Sequence, residues 1–248
     1  MGRHDDIIFV KQQGAMRTGT NLVKFALEEN FTNVRVLVNI GRWKHATAET
    51  PFNWRGINWE GDGVSVDVPS RISRDELSAV RAAFDAGAIN FAISIRDVYS
   101  WLVSYVRFTR PEEAAPLPPL TNLPGEYIVE ALRQWNALYR SYLPLLGSTH
   151  GAMLFRLEDL LTNFDETLDR ARLLWGLKPR HARYVRPGRY LRAGIDGETR
   201  SELLESSPFD PRSYLSDNRL AQFDDRLIAL IRRAIDGDAL RAYGYEVL

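Results

Sequence analysis

The 248-residue chain contains no cysteine, which excludes disulfide bonds, a thiol nucleophile and a cysteine-ligated metal site. It also has no net charge, because 32 Lys and Arg balance 32 Asp and Glu. No overall field therefore draws it to nucleic acid or to an anionic membrane, although local basic sites remain possible. No apolar run approaches the roughly 20 residues of a membrane span, and residues 1–6 lack a signal-peptide core. We expect a cytoplasmic protein without an integral membrane segment and without a nucleic-acid partner.

The first pattern that points to a ligand is a glycine-bearing turn between a predicted strand, residues 7–10, and a predicted helix, residues 22–27. The turn has the sequence Gln13-Gly14-Ala15-Met16-Arg17-Thr18-Gly19-Thr20-Asn21. Backbone N–H groups at a helix start carry partial positive charge, and Arg17 adds a full charge with forked donors. The layout predicts a phosphate-binding loop, and the alternative is a plain turn without a ligand.

The same turn departs from the loop of magnesium-dependent nucleotide hydrolases. Gly14 and Gly19 have the separation of the pattern G-x-x-x-x-G-K-[ST]. Thr20 then stands in place of the Lys, and Asn21 in place of the Ser or Thr that binds magnesium. We therefore predict a phosphate cradle that needs no metal ion, rather than ordinary Mg-ATP chemistry.

A second candidate phosphate site follows a later strand. Residues 89–95 form an apolar, β-branched run that predicts a buried strand, and Arg96 ends it. A helix is predicted over residues 98–108, and it carries Ser104, eight residues after Arg96.

Together the two segments resemble those of sulfotransferases that use 3′-phosphoadenosine 5′-phosphosulfate (PAPS). Arg17-Thr18-Gly19-Thr20-Asn21 is similar to the 5′-phosphosulfate loop of that family. Its members hold the 3′-phosphate with an Arg at a strand end and a Ser eight residues later, the spacing of Arg96 and Ser104. The cofactor-binding loop residues that the resemblance implies are Gly14, Arg17, Thr18, Gly19, Thr20 and Asn21.

The resemblance also implies the fold. We expect an α/β protein of the P-loop nucleotide-binding type, with three layers and a mainly parallel central sheet between helices on both faces. The resemblance covers most of the chain, so residues 1–248 are predicted to form a single sulfotransferase-like domain. Cysteine and a signal segment are both missing, which differs from membrane-anchored secretory members and favours a bacterial source.

A lysine–histidine pair follows the second predicted strand, residues 34–40. Ligands in open α/β sheets bind beyond the carboxyl ends of the strands, which places Lys44 and His45 near the phosphate loop. The pair looks similar to that of cytosolic sulfotransferases, in which one residue usually separates the Lys from the His. The resemblance implies His45 as general base, Lys44 on the transferring sulfuryl group and Arg17 on the leaving 5′-phosphate. The alternative for His45 is a surface loop residue.

Later segments add weaker signals. Residues 178–200 are basic, and a late basic, glycine-containing loop closes over the 3′-phosphate in the family; Arg192 and Gly194 are the residues that this likeness implies. A solvated basic face is the alternative. Leu157-Glu158-Asp159-Leu160 resembles the family segment Tyr-Glu-Asp-Leu, and we expect Glu158 and Asp159 to be structural. Residues 221–242 are an amphipathic stretch, which predicts helical structure.

The predicted activity is transfer of a sulfuryl group from PAPS to a hydroxyl or amine of an acceptor. Trp43, Trp54 and Trp59 are concentrated beside the Lys–His pair, which suits a carbohydrate or glycolipid acceptor or, alternatively, pins a loop to the body. Three rival functions stay open. They are a non-catalytic module that binds the product 3′-phosphoadenosine 5′-phosphate (PAP), a degenerate P-loop kinase, and a glycosyltransferase-like protein that binds a nucleotide sugar.

Overall fold

The structure is a computed structural model that describes residues 6–52, 58–60, 63–65, 72–109, 120, 123–147, 151–188, 211, 215 and 221–247. Its elements follow in chain order. They are β1 Ile8–Gly14, α1 Thr20–Asn30, β2 Val34–Leu37, β3 Asn58–Glu60, β4 Gly63–Ser65, β5 Ile72–Ser73, α2 Arg74–Asp85, β6 Asn90–Ile95, α3 Val98–Thr109, α4 Gly125–Leu146, β7 Ala152–Arg156, α5 Leu157–Thr162, α6 Phe164–Trp175, α7 Asp225–Ala234 and α8 Gly237–Ala242.

Four parallel strands form the main sheet, in the order β2-β1-β6-β7. The chain passes from β1 to β2 on one side and then crosses to β6 on the other side of β1. This change of direction puts the topological switch point between β1 and β6. Ligands of open α/β sheets bind beyond the carboxyl ends of the strands at such a point. Strands β3, β4 and β5 form a separate antiparallel sheet.

Apolar side chains cover both faces of the main sheet. Val10 and Ala92 pack with residues of α1, α5 and α6 on one face. Ile93 and Ile95 pack with residues of α3, α4, α7 and α8 on the other. Adjacent strand residues point to opposite faces, so both faces need a helical cover. The predicted α/β architecture with a parallel sheet is confirmed. Among the described residues, no helix combines the length and apolarity needed to cross a membrane.

Strand β2 ends at Leu37, three residues before the predicted end at residue 40. The cause lies in the neighbouring strand. Lys11 is fully buried in β1, and its ammonium donates hydrogen bonds to the carbonyls of Val38, Ile40 and Arg42. The main chain bends around this group and leaves the sheet.

The amphipathic stretch over residues 221–242 contains two helices, α7 and α8, with a break at Ile235. The Asp236 carboxylate accepts from the Ala239 N–H at 3.1 Å and so starts a new helix. Asn136 of α4 stabilises the break, donating to the Ala234 carbonyl at 2.7 Å and accepting from the Asp236 N–H at 2.9 Å.

Candidate functional site

The loop between β1 and α1 depends on two glycines. Gly14 has φ 153°, and a Cβ there would lie 2.6 Å from the Ser94 carbonyl oxygen. Gly19 has φ 84°, and a Cβ there would lie 2.8 Å from the Leu157 side chain. Both positions combine a backbone conformation that favours glycine with a close approach of another strand or helix. The loop is therefore pressed tightly onto the carboxyl edge of the sheet.

The N-terminal end of α1 is left open by this loop. No side chain caps it among the described residues, and its first turn carries no acidic residue. Thr18 is buried, and its hydroxyl donates to the Ala15 carbonyl at 2.7 Å, which closes the loop instead of capping the helix. Thr20 is buried as well. Among the side chains of the predicted loop, the exposed Arg17 and the partly exposed Asn21 thus remain accessible to solvent on either side of Gly19, the residue that precedes α1.

Arg17 and Ser104, predicted in separate phosphate segments, meet in the structure. The Arg17 Nε atom donates to the Ser104 hydroxyl at 3.3 Å, and the guanidinium lies 5.3 Å from the ring centroid of the half-exposed Phe108. The Trp101 indole donates to the Met16 carbonyl at 2.9 Å. Helix α3 therefore packs its Ser104 face against the first loop. Arg17 itself has φ 70°, a left-handed conformation that is unfavourable for a residue with a Cβ.

Arg96 lies at the predicted strand end, but its side chain is only 2% exposed. The following residue, Asp97, precedes α3 and caps its start: the Asp97 carboxylate accepts from the Ser100 N–H at 2.9 Å, and burial raises the pKa of Asp97. For Arg96 to contact a ligand, its side chain would have to be uncovered, so its role at a 3′-phosphate stays a prediction. Arg192 and Gly194 lie outside the described residues, and nothing tests them.

Lys44 and His45 lie against the predicted phosphate loop. The Gly14 N–H donates to the Lys44 carbonyl at 3.0 Å, and the His45 Nδ1 atom bonds to the Gly14 carbonyl. The Lys44 ammonium donates to the Asn21 side-chain oxygen at 3.2 Å. These contacts fix the predicted catalytic pair at the start of α1, beside Arg17 and the open helix end.

The contact with Gly14 also sets the tautomer of His45. A carbonyl only accepts, so Nδ1 carries the proton and Nε2 keeps its lone pair. Burial, the Lys44 cation and the more distant Lys11 lower the pKa of His45 to about 3, against the opposing effect of the Gly14 carbonyl. Burial and the Lys24 cation lower the pKa of Lys44 to about 8. At neutral pH the site thus offers a neutral imidazole and a mostly charged ammonium, and a bound anion would raise both pKa values.

Tyr139 of α4 holds the loop between β1 and α1 through hydrogen bonds to the main chain, a role that the sequence did not reveal. Its hydroxyl accepts from the Ala15 N–H at 3.2 Å and donates to the Ser94 carbonyl at 2.8 Å, which joins the ends of β1 and β6. Tyr142, one turn further along α4, donates to the Ala46 carbonyl at 2.7 Å. Both tyrosines belong to the apolar stripe of α4. Nothing in the stripe marks which of its hydroxyl groups will meet a loop.

Trp43 stands at the outer side of the pair. It is 52% exposed, and its ring meets the His45 ring edge to face with centroids 4.8 Å apart. Trp54 and the side chain of Trp59 lie outside the described part of the structure. The predicted aromatic surface therefore has one member that can be placed, and it lies directly beside the predicted base.

The first part of the basic segment, residues 178–188, lies against the C-terminal end of α1, away from the carboxyl ends of the strands. The Arg180 N–H donates to the Asn30 carbonyl at 2.8 Å, and its guanidinium donates to the Glu28 carbonyl at 3.1 Å. Arg186 pairs with Asp165 at 3.0 Å. The 11 residues of α1, about 16 Å, separate these contacts from the phosphate loop. This part of the segment completes the end of a helix instead of joining the site.

No family model, no curated protein and no solved structure matches this chain. Within the described residues, no group of three or more His, Asp or Glu side chains is arranged to hold a metal ion.

Proposed function

We propose that this protein is a PAPS-dependent sulfotransferase of the P-loop-like type, which moves a sulfuryl group from PAPS to an acceptor hydroxyl or amine. One observation carries the proposal. Three segments chosen from the sequence for separate phosphate and catalytic roles contribute Arg17, Ser104 and His45 to one edge of the sheet, at the switch point between β1 and β6. Unrelated surface residues would have no reason to converge there.

The loop residues fit an anionic phosphosulfate group. The open end of α1 and the Arg17 guanidinium supply positive charge, and the first turn of the helix supplies no competing carboxylate. PAPS brings the activated sulfuryl group. The protein positions the reactants and offsets charge as it builds on the departing 5′-phosphate oxygen. Lys44, held by Asn21, adds a cation where the sulfuryl oxygens would lie.

His45 has the tautomer that a general base needs. Its Nδ1–H is committed to Gly14, so Nε2 is the atom that would accept the proton of the acceptor hydroxyl. Its pKa of about 3 in the free protein is low for a base. The anionic nucleotide would raise it, because opposite charge favours the protonated form.

That low pKa is also the observation that favours a second candidate, a non-catalytic module that binds PAP. In such a module the anion would bind to the loop and to Arg17, while His45 would only tie the loop to the following segment. A P-loop kinase is less well supported, because Thr20 and Asn21 replace the lysine and the magnesium-binding residue.

Calorimetric titration with PAP, with 5′-AMP and with ATP plus magnesium tests the nucleotide class. We expect metal-independent PAP binding and a preference over AMP of roughly a hundred-fold or more, from two charge-assisted contacts of about 1.5–3 kcal/mol each. Well-folded protein that binds AMP and PAP equally would contradict the assignment of a 3′-phosphate site.

Ser104→Ala, with Thr109→Ala in the same helix as control, shows how Ser104 acts. Loss of affinity for PAP alone supports a 3′-phosphate contact. Equal losses for PAP and AMP would mean that Ser104 acts on the 5′ side, through its bond to Arg17. Transfer of ³⁵S from labelled PAPS to a panel of sugars, glycolipids and phenols then separates the enzyme from the binding module, which would bind PAP without transfer to any acceptor.

A further inference from the structure

Lys11 is the most unusual buried group outside the proposed site. It belongs to β1, one of the two inner strands of the main sheet, and its side chain is completely buried. Charged side chains are rarely buried without partners, since the loss of hydration is costly. In this case three carbonyl oxygens replace the water: those of Val38 at 2.7 Å, Ile40 at 3.3 Å and Arg42 at 2.6 Å.

The three carbonyls belong to alternate residues of one short segment, residues 38–42, which we name the carbonyl turn. Gly41 permits its shape with φ 76°, and a Cβ at Gly41 would strike the Phe52 ring. An ammonium has three N–H donors, and a neutral amine has two, so three acceptors fit the charged form. Burial and the nearby cations Arg42 and Lys44 act in the opposite direction and lower the pKa of Lys11.

The carbonyl turn leads directly into Trp43, Lys44 and His45. Its first end is held by Lys11, and the residues after it are held by Gly14, which bonds to both Lys44 and His45. Lys11 and Gly14 are three residues apart in β1. One rigid strand therefore fixes the turn at its start and the predicted catalytic pair at its end.

We propose that Lys11 is a positioning residue of the site, which gathers the carbonyl turn around its ammonium and thereby sets Lys44 and His45 against the phosphate loop. That these two residues act in catalysis rests on the proposed function. That Lys11 sets their geometry does not, and it is testable in the ligand-free protein.

The test replaces Lys11 by Met, which keeps an apolar stem of similar length and removes the donors. The readout is the His45 imidazole in ¹⁵N-histidine-labelled protein, followed by NMR from pH 3 to 8. His45→Asn assigns its signal among the four histidines of the chain. The groups that act on the charge of this ring are the Lys44 cation, the Lys11 cation and the Gly14 carbonyl. Lys24 in turn acts on Lys44.

In the wild type we expect Nδ1 to be protonated and the pKa to be near 3. In Lys11→Met the turn is released, so the Nδ1–H bond to Gly14 should be lost and the two neutral tautomers should be mixed. Loss of the Lys11 cation by itself raises the pKa toward the ordinary value of roughly 6.5, so the tautomer, and not the pKa, is the deciding readout. The control is Asn30→Ala, which also removes three hydrogen bonds to the main chain, but at the far end of α1. It should leave the His45 titration unchanged.

An unchanged His45 tautomer in folded Lys11→Met would overturn the proposal and leave Lys11 as a core residue alone. If the Met variant does not fold, Lys11→Gln keeps two N–H donors for the carbonyls and should give partial mixing of the two tautomers, while an unchanged tautomer would again overturn the proposal. Failure of the wild type to bind PAP would instead contradict the proposed function and would not affect this result.

Discussion

The N-terminal and C-terminal ends of helix α1 lie at opposite edges of the sheet, and their main-chain groups have opposite surroundings. At the C-terminal end, Asn30 donates to the Ala26 and Val185 carbonyls at 3.0 Å each. Arg180 covers the carbonyls of Glu28 and Phe31. At the N-terminal end no described side chain caps the helix, and Arg17 is the exposed residue of the loop.

The two ends of α1 show two ways in which the main-chain groups at a helix end find partners. Helix ends leave main-chain groups without internal partners, and each such group needs another partner. Where the protein supplies that partner itself, as Asn30 and Arg180 do, the end contributes to stability. Where the end is left uncapped beside the exposed Arg17, we predict an anion site. We therefore expect substitutions at the closed end to change stability, and substitutions at the open end to change binding and turnover.

The largest expected effect lies at the open edge, in His45→Ala. If Nε2 accepts the acceptor proton, turnover should fall by about 10²–10⁴-fold, while PAP affinity stays nearly constant. Steady-state transfer assays together with calorimetry measure both quantities. Unchanged turnover would remove His45 from the mechanism.

Arg17→Gly should lower the affinity for PAP without lowering the stability of the fold. Loss of a charge-assisted contact predicts PAP affinity lower by about 10–150-fold. The free energy of unfolding should be equal or up to about 1 kcal/mol higher, because glycine removes the left-handed strain at φ 70° at some cost in chain entropy. Urea unfolding and PAP titration of the same sample check both. A clear loss of stability would mean that Arg17 is part of the fold.

The pH dependence of stability tests the surroundings of His45. Its folded-state pKa is about 3 and its unfolded-state value is about 6.5, so the unfolded chain binds more protons between these values. The stabilising contribution is complete above pH 6.5 and is lost as the pH falls toward 3. Between pH 6.5 and 4.5 the wild type should lose about 2–3 kcal/mol more than His45→Asn, which keeps a donor for Gly14. If urea unfolding showed that the free energy of unfolding falls equally in the wild type and in His45→Asn over this pH range, the prediction would be contradicted.

Asn30→Ala tests the closed end. Asn30 is buried, and its three hydrogen bonds to the main chain join α1 to the segment after α6. The change should lower the free energy of unfolding by about 1–3 kcal/mol and leave PAP affinity unchanged. If PAP binding weakened in the folded variant, the two ends of α1 would not be independent.

The smallest effect is expected for Trp43→Ala. Its half-exposed ring stands beside His45, and an acceptor with an apolar face could rest on it. We expect the KM for the acceptor to rise a few-fold, with PAP affinity and stability unchanged. A fall in turnover without a change in KM would instead show that Trp43 acts by holding the His45 ring.

Much of the fold could be predicted from local patterns. The helices predicted over residues 22–27 and 98–108 lie within α1 and α3, and the strand predicted over residues 89–95 is β6. Local patterns failed where a distant group interrupts them. Residues 38–40 have the composition of a strand, but Lys11 takes their carbonyls out of the sheet. The amphipathic stretch over residues 221–242 is divided into two helices by Asn136, which lies about 100 residues earlier in the chain.

The sequence by itself determined β1, α1, β6 and α3 and the glycine-bearing loop with its arginine, because these depend on neighbouring residues. Only the tertiary structure decided that Arg17 meets Ser104, that Arg96 is buried and that Lys178 and Arg180 lie away from the site. The physical reason is distance along the chain. Packing across the sheet decides which polar groups are buried and which stay hydrated. The local sequence around each residue does not show that outcome.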